Sequence, residues 1–125
     1  MAYIFTNPNP AGRLVGDCVV RANSIILDQT WDKTYEDLTT DGFYVKDMPS
    51  SNSVWESYLK NKGFRKRMIP DQCPMCYTVN DFCADHPRGD YVVATGSHII
   101  AVIDGNIYDA WPSGMEVPAY YLERN

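Results

Sequence analysis

The chain has little of several things. No apolar run approaches the roughly 20 residues that a membrane helix needs. Basic residues are outnumbered, 11 against 16 acidic, for a net charge of −5. That argues against nucleic-acid binding, which needs a basic face. The one basic run, "RKRM" at 65–68, reads as a solvated strand face. The first ten residues, "MAYIFTNPNP", lack the basic and apolar regions of a secretory leader. The expectation is a cytoplasmic protein with reduced thiols and no membrane insertion. There is no internal repeat and no low-complexity linker. Histidine is scarce, with two residues, so any histidine chemistry falls to His86 or His98.

What is present folds. The 125 residues suffice for one domain, 1–125, and 45% are apolar. Nine tyrosines and three tryptophans predict a core with amphipathic edges. Trp31, Trp55 and Trp111 are candidates for lining a shallow groove, with most of the aromatic residues serving the core.

The N-terminal part reads as helices. After a "YIF" strand at 3–5 and the loop "TNPNPAGRLVG", Asp17 is placed to cap a helix from Cys18 to about Asp28. "TYEDLTTDG" reads as a short helix with a threonine cap, ending at Gly42. "SVWESYLKNKG" has Ser53 and Glu56 spaced as a capping box and Gly63 as its stop. "TVNDFCADHP" is a short helix from its Thr78 cap to Pro87. Four strand-like segments follow, "DYVVAT", "SHIIAVID", "NIYDAW" and "PAYYLER". The predicted class is α+β, with helices first and an antiparallel sheet after them.

Cys18 is the chemical focus. A helix N-terminus offers free N–H groups and partial positive charge, which favour a thiolate. The base it needs is His98, at the start of a strand, since His86 in "DHP" reads as an exposed loop. Hairpin arithmetic supplies the third member. With Asp104-Gly105 as a two-residue turn, Ile103 pairs with Asn106, Ile100 with Asp109 and His98 with Trp111. His98, Ile100, Asp109 and Trp111 then share a face, with Asp109 diagonal to the histidine and Trp111 screening the contact.

Cysteine at the start of a long helix, histidine on a strand and aspartate on the next strand resemble the papain-like cysteine peptidases. "GDCVVRA … GSHIIAVIDGNIYDAW" is similar to the small bacterial and phage-type members, including bacteriocin-processing peptidases and cell-wall amidases and endopeptidases. The resemblance implies a nucleophile helix packed on an antiparallel sheet. It implies Cys18 as nucleophile, His98 as base and Asp109 as orienting residue, acting without a cofactor on a peptide, isopeptide or other amide. The family's glutamine, a few residues before the cysteine, has no counterpart in "NPAGRLVGD". The Cys18 N–H can give one oxyanion bond, and Asn7, Asn9 and Arg13 are candidates for the other. Asn9, Arg13, Asp17 and Trp111 are the expected substrate-side residues.

A second cluster, Cys73, Cys76, Cys83 and His86, has the ligand types of a Cys3His zinc site, though its central spacing is short. The preferred reading is metal-free, with Cys83 an apolar helix residue. Two other functions fit the same residues: a papain-like binding module without turnover, and a small zinc-stabilised interaction protein.

Overall fold

The computed structural model describes residues 2–70 and 77–124. It is an α+β chain of ten elements: β1 (Tyr3–Phe5), α1 (Cys18–Leu27), α2 (Trp31–Val45), α3 (Asn52–Asn61), β2 (Phe64–Met68), α4 (Val79–Asp85), β3 (Asp90–Ala94), β4 (Ile99–Ile103), β5 (Asn106–Asp109) and β6 (Tyr120–Arg124). The strands form one sheet in the order β1-β5-β4-β3-β6-β2. Among the described residues no helix is long and apolar enough to cross a membrane.

Side-chain alternation along the strands divides the core in two. Val92, Ala94, Ile99, Ala101 and Leu122 face α1, α2 and α3, where they meet Val19, Ile26, Leu38, Trp55 and Leu59. Their neighbours Val93, Ile100, Val102 and Ile107 face the other way, onto Val79, Phe82 and Cys83 of α4. The sheet is thus the middle of three layers. Burying the large side chains Trp55, Phe82, Leu38 and Leu59 stabilises the fold by about 1.5–3 kcal/mol each.

The sheet is not wholly antiparallel. β1 pairs with β5 in parallel, Tyr3 opposite Ile107 and Phe5 opposite Asp109. A three-residue strand whose partner lies about a hundred residues on gives no sequence signal for its direction. The basic run forms β2, an edge strand exposed except at Phe64. Arg65 and Arg67 both reach Glu123, and the charges blunt the edge against further pairing.

Three helix boundaries differ from expectation. α2 starts at Trp31 because the Thr30 side chain accepts the Lys33 N–H, and it runs through Gly42 to Val45. Gly42 is a packing requirement and not a stop: a Cβ there would stand 2.7 Å from the Asp47 carbonyl oxygen. α3 starts at Asn52, with Ser51 in the cap position and no side-chain cap. The Ser51 and Ser53 hydroxyls both donate to Asp47, while Glu56 accepts from Lys66 and Tyr120, so no capping box forms there. α4 does carry a capping box, Thr78 with Asp81.

Candidate active site

The β4–β5 hairpin positions two of the candidate residues. Asp104 and Gly105 take φ of 51° and 75°, as a two-residue turn of the primed type requires. Ile103 then pairs with Asn106, Val102 with Ile107 and Ala101 with Tyr108. The register expected from the sequence holds, so His98 and Asp109 stand together at the open end of the hairpin. The turn before β4 closes on His98, whose carbonyl accepts the Thr95 N–H at 2.8 Å.

At this end His98 is 4% exposed and Asp109 3%. The imidazole Nε2 lies 2.6 Å from Asp109 Oδ2. With Nε2 so engaged, Nδ1 is the nitrogen left for the Cys18 thiol, and the interaction of the thiol with His98 shifts both groups. Trp111 stacks on the His98 ring with centroids 4.1 Å apart and is itself 45% exposed, so it shields one face of the imidazole.

Asp109 has further support. Ser113 Oγ donates to its Oδ2 at 2.6 Å and the Ala110 N–H to its Oδ1 at 2.7 Å. Burial alone would raise this carboxyl, but the bonds from His98 and Ser113 and the imidazole charge hold it below its ordinary value. For His98, desolvation works against the proton. The hydrogen bond to Asp109, the interaction with Cys18 and their charges outweigh it, and the pKa is pushed up to about 9. Burial likewise opposes ionising Cys18. It is overcome by the interaction with His98, by the nearby Ile99 N–H, and by the charges of His98 and Arg21, so the thiol falls below its ordinary value. Cys18 is also the first residue of α1, where the helix dipole acts in the same direction. The three shifts together favour a thiolate–imidazolium pair held by a carboxylate.

Asp17 occupies the N-cap position of α1, yet its side chain makes no cap bond. Its carboxylate accepts from Arg21, from Trp31 Nε1 at 2.9 Å and from Asn9 Nδ2 at 3.4 Å. Asp17 is 8% exposed, and these partners tie the start of α1 to the loop before it and to α2. Trp31 joins this network and Trp55 is fully buried, so of the three tryptophans Trp111 alone flanks the site. Asn7 Nδ2 donates to the Arg13 carbonyl, and Arg13 is exposed. Of the three candidate second oxyanion donors, Asn9 is therefore the one bonded at the helix start.

His86 is half-buried and not in an exposed loop. Its ring stacks on Phe82 at 3.9 Å and its Nδ1 lies 2.9 Å from the Phe82 carbonyl oxygen. Cys83 is buried in the α4-side core, which pushes its thiol up to about 11. Cys73 and Cys76 lie outside the described residues, and the four-residue zinc reading lies there with them. Among the described residues, no group of three or more His, Cys, Asp or Glu side chains is placed to hold a metal ion.

Arg21 and Ser113 are site residues that periodicity did not single out. Arg21 had a signal: it falls four residues after Asp17 and three after Cys18, on one helix face. No protein-family model, curated protein or solved structure matches the chain.

Proposed function

We propose that the chain is a papain-like cysteine hydrolase that cleaves a peptide, isopeptide or other amide bond through a thioester. The observation that carries this reading is His98, buried between the Cys18 thiol and the Asp109 carboxylate at the start of α1. The order of nucleophile helix, histidine strand and aspartate strand supports it.

In the proposed reaction the Cys18 thiolate attacks the carbonyl carbon, forming a C–S bond and an oxyanion. The Cys18 N–H is one oxyanion donor, and the Asn9 amide is the second. His98 gives its Nδ1 proton to the leaving nitrogen as the C–N bond breaks. Water then attacks the thioester, His98 takes its proton, and the C–S bond breaks to release the acid and restore Cys18. Asp109 stays ionised throughout and orients the ring. Trp111 keeps water from one side of the imidazole.

The test is acyl transfer from p-nitrophenyl acetate. A burst of p-nitrophenol, with an acetyl adduct mapped to Cys18, is expected. Cys18→Ala should abolish the adduct, and His98→Ala should slow the burst on the order of a hundredfold. A folded wild type that gives no burst and no Cys18 adduct would contradict the reading.

A further inference from the structure

We propose that Arg21 is the positioning residue of this site: its buried guanidinium ties the Asp17 carboxylate at the start of α1 to the Asp109 carboxylate at the end of β5. This rests on the reading of Cys18, His98 and Asp109 as a triad and extends it to a fourth residue.

Arginine is almost never fully buried unless it is paired. Arg21 is 3% exposed, on the first full turn of α1. One terminal nitrogen, Nη1, binds Asp17 Oδ1 and donates to the Val15 carbonyl at 3.2 Å. The other, Nη2, stands 3.5 Å from Asp109 Oδ1. Its central carbon lies 5.8 Å from the Trp111 ring centroid. A guanidinium is suited to this, because its rigid fork presents separate donors to two acceptors at once. An ammonium is a point charge and serves one of them.

The two oxygens of Asp109 divide the work. Oδ2 takes His98 and Ser113, while Oδ1 takes the Ala110 N–H and the Arg21 charge. Arg21 therefore approaches the oxygen that His98 does not use, and so fixes the carboxylate without competing for the imidazole. It also fixes the other side of the site. The Val15 carbonyl and Asp17 belong to the segment that leads into Cys18, so the same side chain sets the nucleophile's approach and the orienting carboxylate's position.

Charge makes the role more than mechanical. With Cys18 and His98 as an ion pair, the two aspartates leave the cluster at −2, and Arg21 brings it to −1. Without Arg21, the thiolate would form beside an uncompensated pair of carboxylates, and its charged form would be less favoured.

The test is iodoacetamide labelling of Cys18 against pH, read by peptide mapping so that Cys73, Cys76 and Cys83 are counted separately, on folded wild type, Arg21→Met, Arg21→Gln and Arg21→Lys. Arg21→Met and Arg21→Gln should label on the order of fivefold more slowly at pH 7, with the curve moved to higher pH. Arg21→Lys, which keeps the charge and loses the fork, should fall between them and wild type. A purely structural arginine would lower the unfolding midpoint and leave the pH curve of the folded protein in place. Wild-type curves in the folded Met and Gln variants would overturn the proposal. Should those two not fold, a Lys variant with the wild-type curve would overturn it. His98→Ala separates the two claims: if it leaves the curve unchanged, the triad reading fails, whatever Arg21 does.

Discussion

At the scale of single residues, the site depends on one imidazole whose two nitrogens have different partners. His98 holds its proton up to about pH 9 chiefly because the Asp109 bond overcomes the desolvation of the ring. Asp109→Ala should therefore lower the His98 pKa, read from its imidazole C–H resonances, toward the ordinary 6.5. Asp109→Asn keeps an oxygen to orient the ring but loses the charge, and should land between. The same shift predicts a stability change. Below about pH 6.5 the imidazole is protonated in both folded and unfolded chains, so the contribution of the His98–Asp109 pair is then fully present. It is lost as pH rises through about 9. The Cys18 thiol, lowered in the fold, has the opposite slope, so the measurement belongs on Cys18→Ala. Urea unfolding of that variant should show stability falling by roughly 1–2 kcal/mol from pH 6 to 9.5, and the Asp109→Asn double variant should flatten the trend. Ser113→Ala removes a buried bond to a charged oxygen and should cost about 1.5–3 kcal/mol in stability.

At the scale of elements, Gly42 gives a prediction opposite to propensity. Glycine to alanine inside a helix normally stabilises by about 1 kcal/mol. Here the new Cβ would meet the Asp47 carbonyl at 2.7 Å, so Gly42→Ala should destabilise the chain by about 1–3 kcal/mol in urea unfolding. The same glycine shows why α2 was underestimated from the sequence: a packing glycine and a terminating glycine look identical until the loop that crosses them is known. The hairpin was legible for the converse reason. Asp104-Gly105 admits few turn geometries, and a two-residue turn pins the register of every pair that follows. Cys18, His98 and Asp109 could be placed together from that register and from the break before α1. Hydrophobic periodicity did not pick out Arg21, because α1 is buried on most sides and Arg21, Asn23 and Ser24 are as enclosed as Val19 and Ala22; its spacing from Asp17 and Cys18 was the one trace it left. The hydroxyl bonds of Ser51 and Ser53 to Asp47 were hidden too, since competition among nearby side chains for one acceptor leaves no periodic trace.

At the scale of the molecule, the site is where α1, the turn into β4 and the end of β5 meet, at one end of a sheet held between two separate cores. The core under α4 packs on the face of the hairpin that carries Ile100, Val102 and Ile107 and contributes no residue of the proposed triad. Phe82→Leu should accordingly lower stability by about 1–3 kcal/mol while leaving Cys18 labelling unchanged across pH, since effects at separated sites add. The central claim is that the fold makes Cys18 a thiolate by means of His98. The most direct measurement is the pH dependence of iodoacetamide labelling at Cys18 in folded wild type and His98→Ala. The wild-type curve should have its midpoint below about 8.5, the value of a free thiol, and should move upward when His98 is removed. A wild-type midpoint at or above the free-thiol value, unmoved in His98→Ala, would contradict it.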